Sequence, residues 1–145
     1  MLRELGDDVL RVLLEHAGPQ APLPAVVELR HLGGALATPP ERPNSVAHRD
    51  ARYLLSVVTL LFGITEEDTR PMYKQLREAL RPVSSGAGLN FLGHGANAGE
   101  ETIRTAYAPA DLDRSARLKA VHDPSNLFRL NYNIPPAGDG PNGTA

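Results

Sequence analysis

Tyr53-Leu54-Leu55-Ser56-Val57-Val58-Thr59-Leu60-Leu61-Phe62 is apolar at both alternating sets of positions and rich in β-branched residues. Successive side chains of a strand point to opposite faces, so this pattern predicts a central strand over 52–62, covered on both sides. Upstream, Ala25 to Leu32 sets Val27, Leu29 and His31 against Val26, Glu28, Arg30 and Leu32, which predicts a second strand. Gly33-Gly34 marks a bend or a close backbone approach, and Thr38 to Asn44 is loop. Further out, Leu2, Leu5, Val9, Val12 and Leu13 form one stripe of a helix over 2–17, stopped by Gly18-Pro19 and followed by a Pro-rich connection to Pro24.

Downstream, Thr65-Glu66-Glu67-Asp68 carries helix-capping chemistry, while Pro71 argues that the regular helix begins near Thr69. Met72, Leu76, Ala79 and Leu80 supply its buried face, and Arg81-Pro82 ends it. Ser84 to Gly88 is flexible, Leu89 to Leu92 is a short strand candidate, and His94 to Gly99 is loop. Glu100 to Tyr107 and Pro109 to His122 read as helices, the second ended by Asp123-Pro124. Strands and helices mix without a βαβ rhythm, so the expected fold class is α+β, an antiparallel sheet with helices packed on one face.

Size and charge narrow the function classes. The 145 residues are 41% hydrophobic and 22% charged with a net charge of −2, which suits one hydrophobic core. No Lys/Arg run forms a patch, so neither nucleic acid nor an anionic membrane is an expected partner. No apolar stretch is long enough to span a bilayer, and acids interrupt Met1 to Asp8 where a signal peptide needs an apolar core; the expected location is cytoplasmic. The absence of Cys excludes disulfides, thiolate metal sites and cysteinyl flavin attachment from this chain. His16, His31, His48, His94 and His122 are dispersed without a ligand spacing, so no metal is expected. Gly93-His94-Gly95 lacks the context of a phosphate loop, and no Gly-x-Ser-x-Gly element is present. Residue chemistry alone yields a soluble α+β domain.

Three stretches carry a resemblance. They are Gly86-Ala87-Gly88-Leu89-Asn90-Phe91; Glu100 to Tyr107; and Leu118-Lys119-Ala120-Val121-His122-Asp123-Pro124-Ser125-Asn126-Leu127-Phe128-Arg129-Leu130-Asn131-Tyr132-Asn133-Ile134-Pro135-Pro136. They resemble the C-terminal signature of berberine-bridge-enzyme-like FAD oxidoreductases: a Y-x-N-[FY] strand, A-Y-G, an R-L-x-x-L-K helix, and D-P-x-N-L-F-R-x-N-x-N-I. Val27 to Ala35 and Ala47 to Tyr53 also resemble substrate-domain strands of bacterial members. The likeness covers residues 20 to 136.

The resemblance implies a substrate and flavin-covering domain over 1–136, with the signature over 86–136 and a disordered Gly/Pro/Asn/Thr tail over 137–145. It implies a fold incomplete without an N-terminal flavin domain, which would hold most of the FAD. Hydride would pass from a small organic substrate to the flavin, and oxygen would commonly reoxidise it. Its expected partners are that flavin-binding domain or a second copy, meeting the sheet face that contains Asn90. The chain alone is then inactive. The alternative is a non-catalytic small-molecule or protein-binding module derived from the same family.

Residue by residue, the resemblance assigns cofactor-binding roles to Asn90, Asn131 and Asn133. An amide can donate to and accept from the polar edge of a flavin. Asn131 and Asn133, two apart on an extended segment, would point the same way. They could reach the flavin or lock the C-terminal segment down. Gly88 stands where the family carries the tyrosine credited with proton abstraction, which leaves the catalytic residue unknown. Tyr53, Tyr107 and Tyr132 are the remaining phenols considered, and core packing is the expected role of the first two. Asp123 to Asn126 is expected to be a structural turn, Phe128 and Leu130 core, and His31 a partly buried residue with an ordinary hydrogen bond.

Overall fold

The computed structural model describes residues 1–92 and 99–138. It divides into two compact units, Met1–Pro39 with Arg49–Gly86, and Pro40–His48 with Ala87–Ala145. The architecture is α+β.

In the first unit, β1 (Ala25–His31) and β2 (Tyr53–Thr59) pair antiparallel, with Ala25 opposite Thr59 and His31 opposite Tyr53. Tyr53, Leu55 and Val57 share one face, which packs on helices α1 (Asp7–Ala17) and α2 (Glu66–Leu80). The core under that face is Leu2, Val9, Leu13, Leu76 and Leu80, each no more than 7% exposed. Removal of these aliphatic side chains from water is the main stabilisation of the unit. Tyr73 fastens α2 to the end of β2: its hydroxyl accepts from the Thr59 amide at 3.0 Å and donates to the Val57 carbonyl at 3.2 Å.

Three sequence expectations change here. β2 is covered on both sides only at its start, where Leu54 is 6% exposed on the face opposite Leu55; it ends at Thr59, and Val58, Leu60, Leu61 and Phe62 are 50%, 47%, 47% and 84% exposed. The Tyr73 hydroxyl takes the Thr59 amide, and Gly63 turns the chain at φ 74°. The predicted helix over 2–17 starts only at Asp7. Leu2 is instead held extended, giving its amide to the Tyr53 carbonyl at 2.8 Å and taking the Tyr53 amide at 3.0 Å. The third change concerns α2, which begins at Glu66 although Pro71 lies inside it. Thr65 and Asp68 form a reciprocal capping box that satisfies orphan amides and sets the helix start at Glu66, with Pro71 inside the helix. The Asp68 carboxyl is held below its usual pKa by the Thr65 amide and hydroxyl. Thr65→Ala is therefore expected to cost about 1 kcal/mol in urea unfolding, and a Ser at this position about nothing.

The second unit holds α3 (Glu100–Arg104) and α4 (Pro109–His122). His48 reaches it by donating from Nε2 to the Thr105 carbonyl at 2.7 Å; a carbonyl only accepts, so Nε2 carries the proton. Ile103 and Ala106 are its buried apolar residues, 4% and 6% exposed. Leu89–Phe91 is a 3-10 turn and not a strand: the Phe91 amide closes on the Gly88 carbonyl at 2.8 Å. Phe128 and Leu130, expected in the core, are 79% and 89% exposed. The Phe128 backbone is bonded at both its amide and its carbonyl while its side chain turns outward. The loop expected over His94 to Gly99 falls outside the described residues as far as 98, as does the tail from 139 onward. Within the part of the tail that is described, the Ala137 amide donates to the Ala116 carbonyl of α4 at 2.9 Å.

Candidate functional site

The polar centre of the second unit is Lys119, on the last turn of α4. Its ammonium donates to the Phe128 carbonyl at 2.5 Å and to Asn133 Oδ1 at 2.9 Å, and lies 3.3 Å from an Asp123 carboxylate oxygen. The Lys119 and Asp123 side chains are only 16% and 13% exposed. Asp123 in turn accepts the amides of Leu127 at 2.7 Å and Phe128 at 3.1 Å. Burial alone would raise the Asp123 pKa; those two amides and Lys119 more than offset it and hold the carboxyl below its ordinary range. The chain that follows α4 is thereby tied back to its last turn. This bonding fixes the backbone of 127–128 while leaving Leu127, Phe128 and Leu130 turned to solvent.

Each assigned cofactor residue can be located against this centre. Asn133 is half-buried and bonded to Lys119, the geometry of a lock on the C-terminal segment. Asn131 is exposed and left-handed at φ 66°, and its carbonyl takes the Asn133 amide at 3.0 Å. The 130–132 segment is bent, so the alternation that would aim Asn131 and Asn133 the same way does not hold. Asn90 is exposed in its 3-10 turn, and Gly88 is the extended residue that caps it. Positions 88 and 90 therefore do not share a strand face, and a phenol at 88 has no geometric reason to stand beside Asn90. The structure joins Asn133 to Lys119 and Asp123.

Of the phenols, Tyr53 is half-buried on the sheet, 5.4 Å from the His31 ring across the strands, and Arg52 lies 5.9 Å above it. His31 is exposed, not partly buried. Burial raises the Tyr107 pKa, which makes it a weaker base precursor at neutral pH. His94 lies outside the described residues; among the described ones no group of three His, Cys, Asp or Glu could hold a metal ion, and no helix is long and apolar enough to cross a membrane. Asn126, left-handed at φ 52°, turns the chain after α4.

A shallow depression of about 80 Å³ lies among Ile103, Leu112, Ala116, Asn133 and Ile134. Organic ligands and cofactors generally occupy about 300–1,000 Å³. Among the described residues neither depression fits an FAD: this one is too small, and the open cleft of about 590 Å³ along 17–25 is lined by Ala, Gly, Pro and Leu alone, with no side chain to hold a phosphate or the polar edge of the ring. Lys119 was not singled out from the sequence, although its i,i+4 spacing to Asp123 was a visible signal for an ion pair.

No protein-family model matches the chain. It is 30% identical over 114 residues to an (R)-6-hydroxynicotine oxidase of Paenarthrobacter nicotinovorans, covering 77% of this chain and 24% of that protein. It is 26% identical over 137 residues to an FAD-linked oxidoreductase of Dictyostelium discoideum, covering 91% of this chain and 28% of that protein. The chain spans about a quarter of the length of these relatives. It is thus distantly similar to an oxidase and to an FAD-linked oxidoreductase.

Proposed function

We propose that this chain works as the C-terminal, flavin-covering portion of a berberine-bridge-like FAD-dependent oxidoreductase. A separate flavin-binding domain holds the cofactor, and a small organic substrate gives hydride to it. The observation that carries this reading is the 30% identity over 114 residues to an oxidase, which takes in most of the chain. The small depression of the second unit supports the need for another domain, because phosphate and ring contacts of an FAD require far more enclosed surface. Asn90 and Asn131, both exposed, are the residues left available to meet a flavin from outside, whereas Asn133 serves the fold through Lys119.

The alternative, a non-catalytic binding module, is favoured by one observation: Gly88 stands where the family places its tyrosine, and glycine can neither take a proton nor orient a substrate. One experiment separates the two. The purified chain is passed through gel filtration with excess FAD, alone and then mixed with the flavin-binding portion of the (R)-6-hydroxynicotine oxidase. Alone it is expected to emerge colourless. Together, a complex with a shifted flavin spectrum is expected. Stoichiometric flavin on the chain alone would overturn the need for a second domain. A mixture that neither associates nor alters the spectrum would hand the reading to the binding module.

A further inference from the structure

Among the described residues β1 pairs with β2 alone, and its other edge carries no strand. Parity in the β1–β2 ladder decides which groups face outward. Tyr53 exchanges its amide and carbonyl with Leu2, and Val57 and Thr59 direct theirs to Tyr73, all away from β1. Leu32 donates to Arg52 at 2.8 Å, in register with the even-numbered residues of β1. In an antiparallel ladder the hydrogen-bonded pairs alternate. The odd-numbered residues Val27, Leu29 and His31 therefore turn their amides and carbonyls toward the free edge. Every residue from Val26 to His31 is exposed, with Val26 at 57% and Val27 and Leu29 at 37%. Proteins usually blunt such an edge with charge, because an open row of donors and acceptors templates further pairing.

The charges here do something else. Glu28 and Arg30 lie two apart on one face, 2.8 Å from each other, with side chains 46% and 53% exposed. Consider two antiparallel copies of β1 related by a two-fold axis. Centred on Leu29, Glu28 stands opposite Arg30 of the second copy, and Arg30 opposite Glu28. Centred one residue earlier, Glu28 meets itself; one residue later, Arg30 meets itself. The Leu29 register is the one of these three that sets opposite charges face to face. It also makes Leu29 and Val27–His31 the hydrogen-bonded pairs, using the outward groups, and leaves Glu28–Arg30 as the close, non-hydrogen-bonded pairs where side chains interact most. Self-complementarity of this kind is what a two-fold interface requires.

We infer that β1 is a homodimerisation edge: two copies join β1 to β1 antiparallel about Leu29, giving a continuous four-stranded sheet with crossed Glu28–Arg30 pairs. This stands on the strand edge and is independent of the flavin reading.

The test uses the full chain in sedimentation and light scattering across a concentration series at low salt, with circular dichroism for folding. The wild type is expected to be a concentration-dependent dimer. Glu28→Arg alone, and Arg30→Glu alone, each oppose like charges in both crossed pairs and are expected to weaken dimerisation by about tenfold or more. Mixing these two variants restores complementarity, since an Arg/Arg edge meets a Glu/Glu edge, and the double swap E28R/R30E restores the homodimer. If one single variant does not fold, the double swap and the salt dependence of the wild type carry the test. A wild type that stays monomeric, including one whose edge is taken only by a different polypeptide, overturns the inference. So do folded variants that dimerise unchanged, or a double swap that stays monomeric.

Discussion

Leu76→Ala is expected to remove about 3 kcal/mol of stability from the first unit, within the range of about 2–5 found for buried leucines. Leu76 is 5% exposed and packs with Leu2, Val9, Leu13 and Leu80 beneath the Tyr53–Leu55–Val57 face. Alanine loses the burial of several carbon atoms and leaves a hole, because Leu2 is tied by backbone bonds to Tyr53 and cannot follow inward. Leu14→Ala, on the same layer but 63% exposed, is the control and should cost well under 1 kcal/mol. Denaturant unfolding of both variants measures the difference. Because the chain forms two units, hydrogen exchange along the β1–β2 ladder should accompany it, so that the loss is read where it occurs. Equal costs for Leu76→Ala and Leu14→Ala would mean that this core does not hold the helices to the sheet.

Lys119→Met is expected to free the C-terminal segment while leaving α4 helical. Methionine keeps the stem of the side chain but loses the charged donors to Phe128 and Asn133 and the ion pair with Asp123. Amides from Leu127 through Ala137 should then exchange faster by on the order of tenfold or more, since charge-assisted hydrogen bonds are the strong ones. Limited proteolysis should open at the exposed Phe128, whose amide and carbonyl are held in the native protein. Acid should do the same. The folded pKa of Asp123 is depressed, so its stabilising contribution is complete above the unfolded value of about 3.9 and is lost as pH falls through the folded value below that. Protection at Leu127 and Phe128 that survives acidification to pH values where carboxylates are neutral, or that survives Lys119→Met, would remove Lys119 and Asp123 from the role of pin.

Both results bear on function through one point. The segment after α4 is tied through the backbone of Leu127 and Phe128 and presents its apolar side chains outward. Leu127, Phe128 and Leu130, together with Val121 at 74% exposure, form surface and not core. A flavin-binding domain meeting this unit would find Asn131 among them, held left-handed. Phe128 and Leu130 are expected in the core as apolar residues; the Asp123 and Lys119 bonds to the Phe128 backbone leave them at the surface instead.

What the sequence by itself determined is local. Pattern periodicity specified β1, the start of β2, α2 and α4, and the α+β class, because alternation and the 3.6-residue repeat are properties of a few consecutive side chains. The Thr65–Asp68 capping box and the Asp123-Pro124 stop were readable for the same reason, since each is closed within four residues or fewer. The resemblance to FAD oxidoreductases was read from short stretches of the same local kind. Only the tertiary structure decided where Leu2 lies, since its partners Tyr53 and Ser84 are distant in sequence. It alone ended β2 on Tyr73, turned Leu89–Phe91 into a 3-10 turn, and separated Asn133, bound to Lys119, from Asn90 and Asn131. Such choices depend on which donor meets which acceptor across long loops, and a strand, a bend and a turn of the same residues differ by little energy until those long-range hydrogen bonds form.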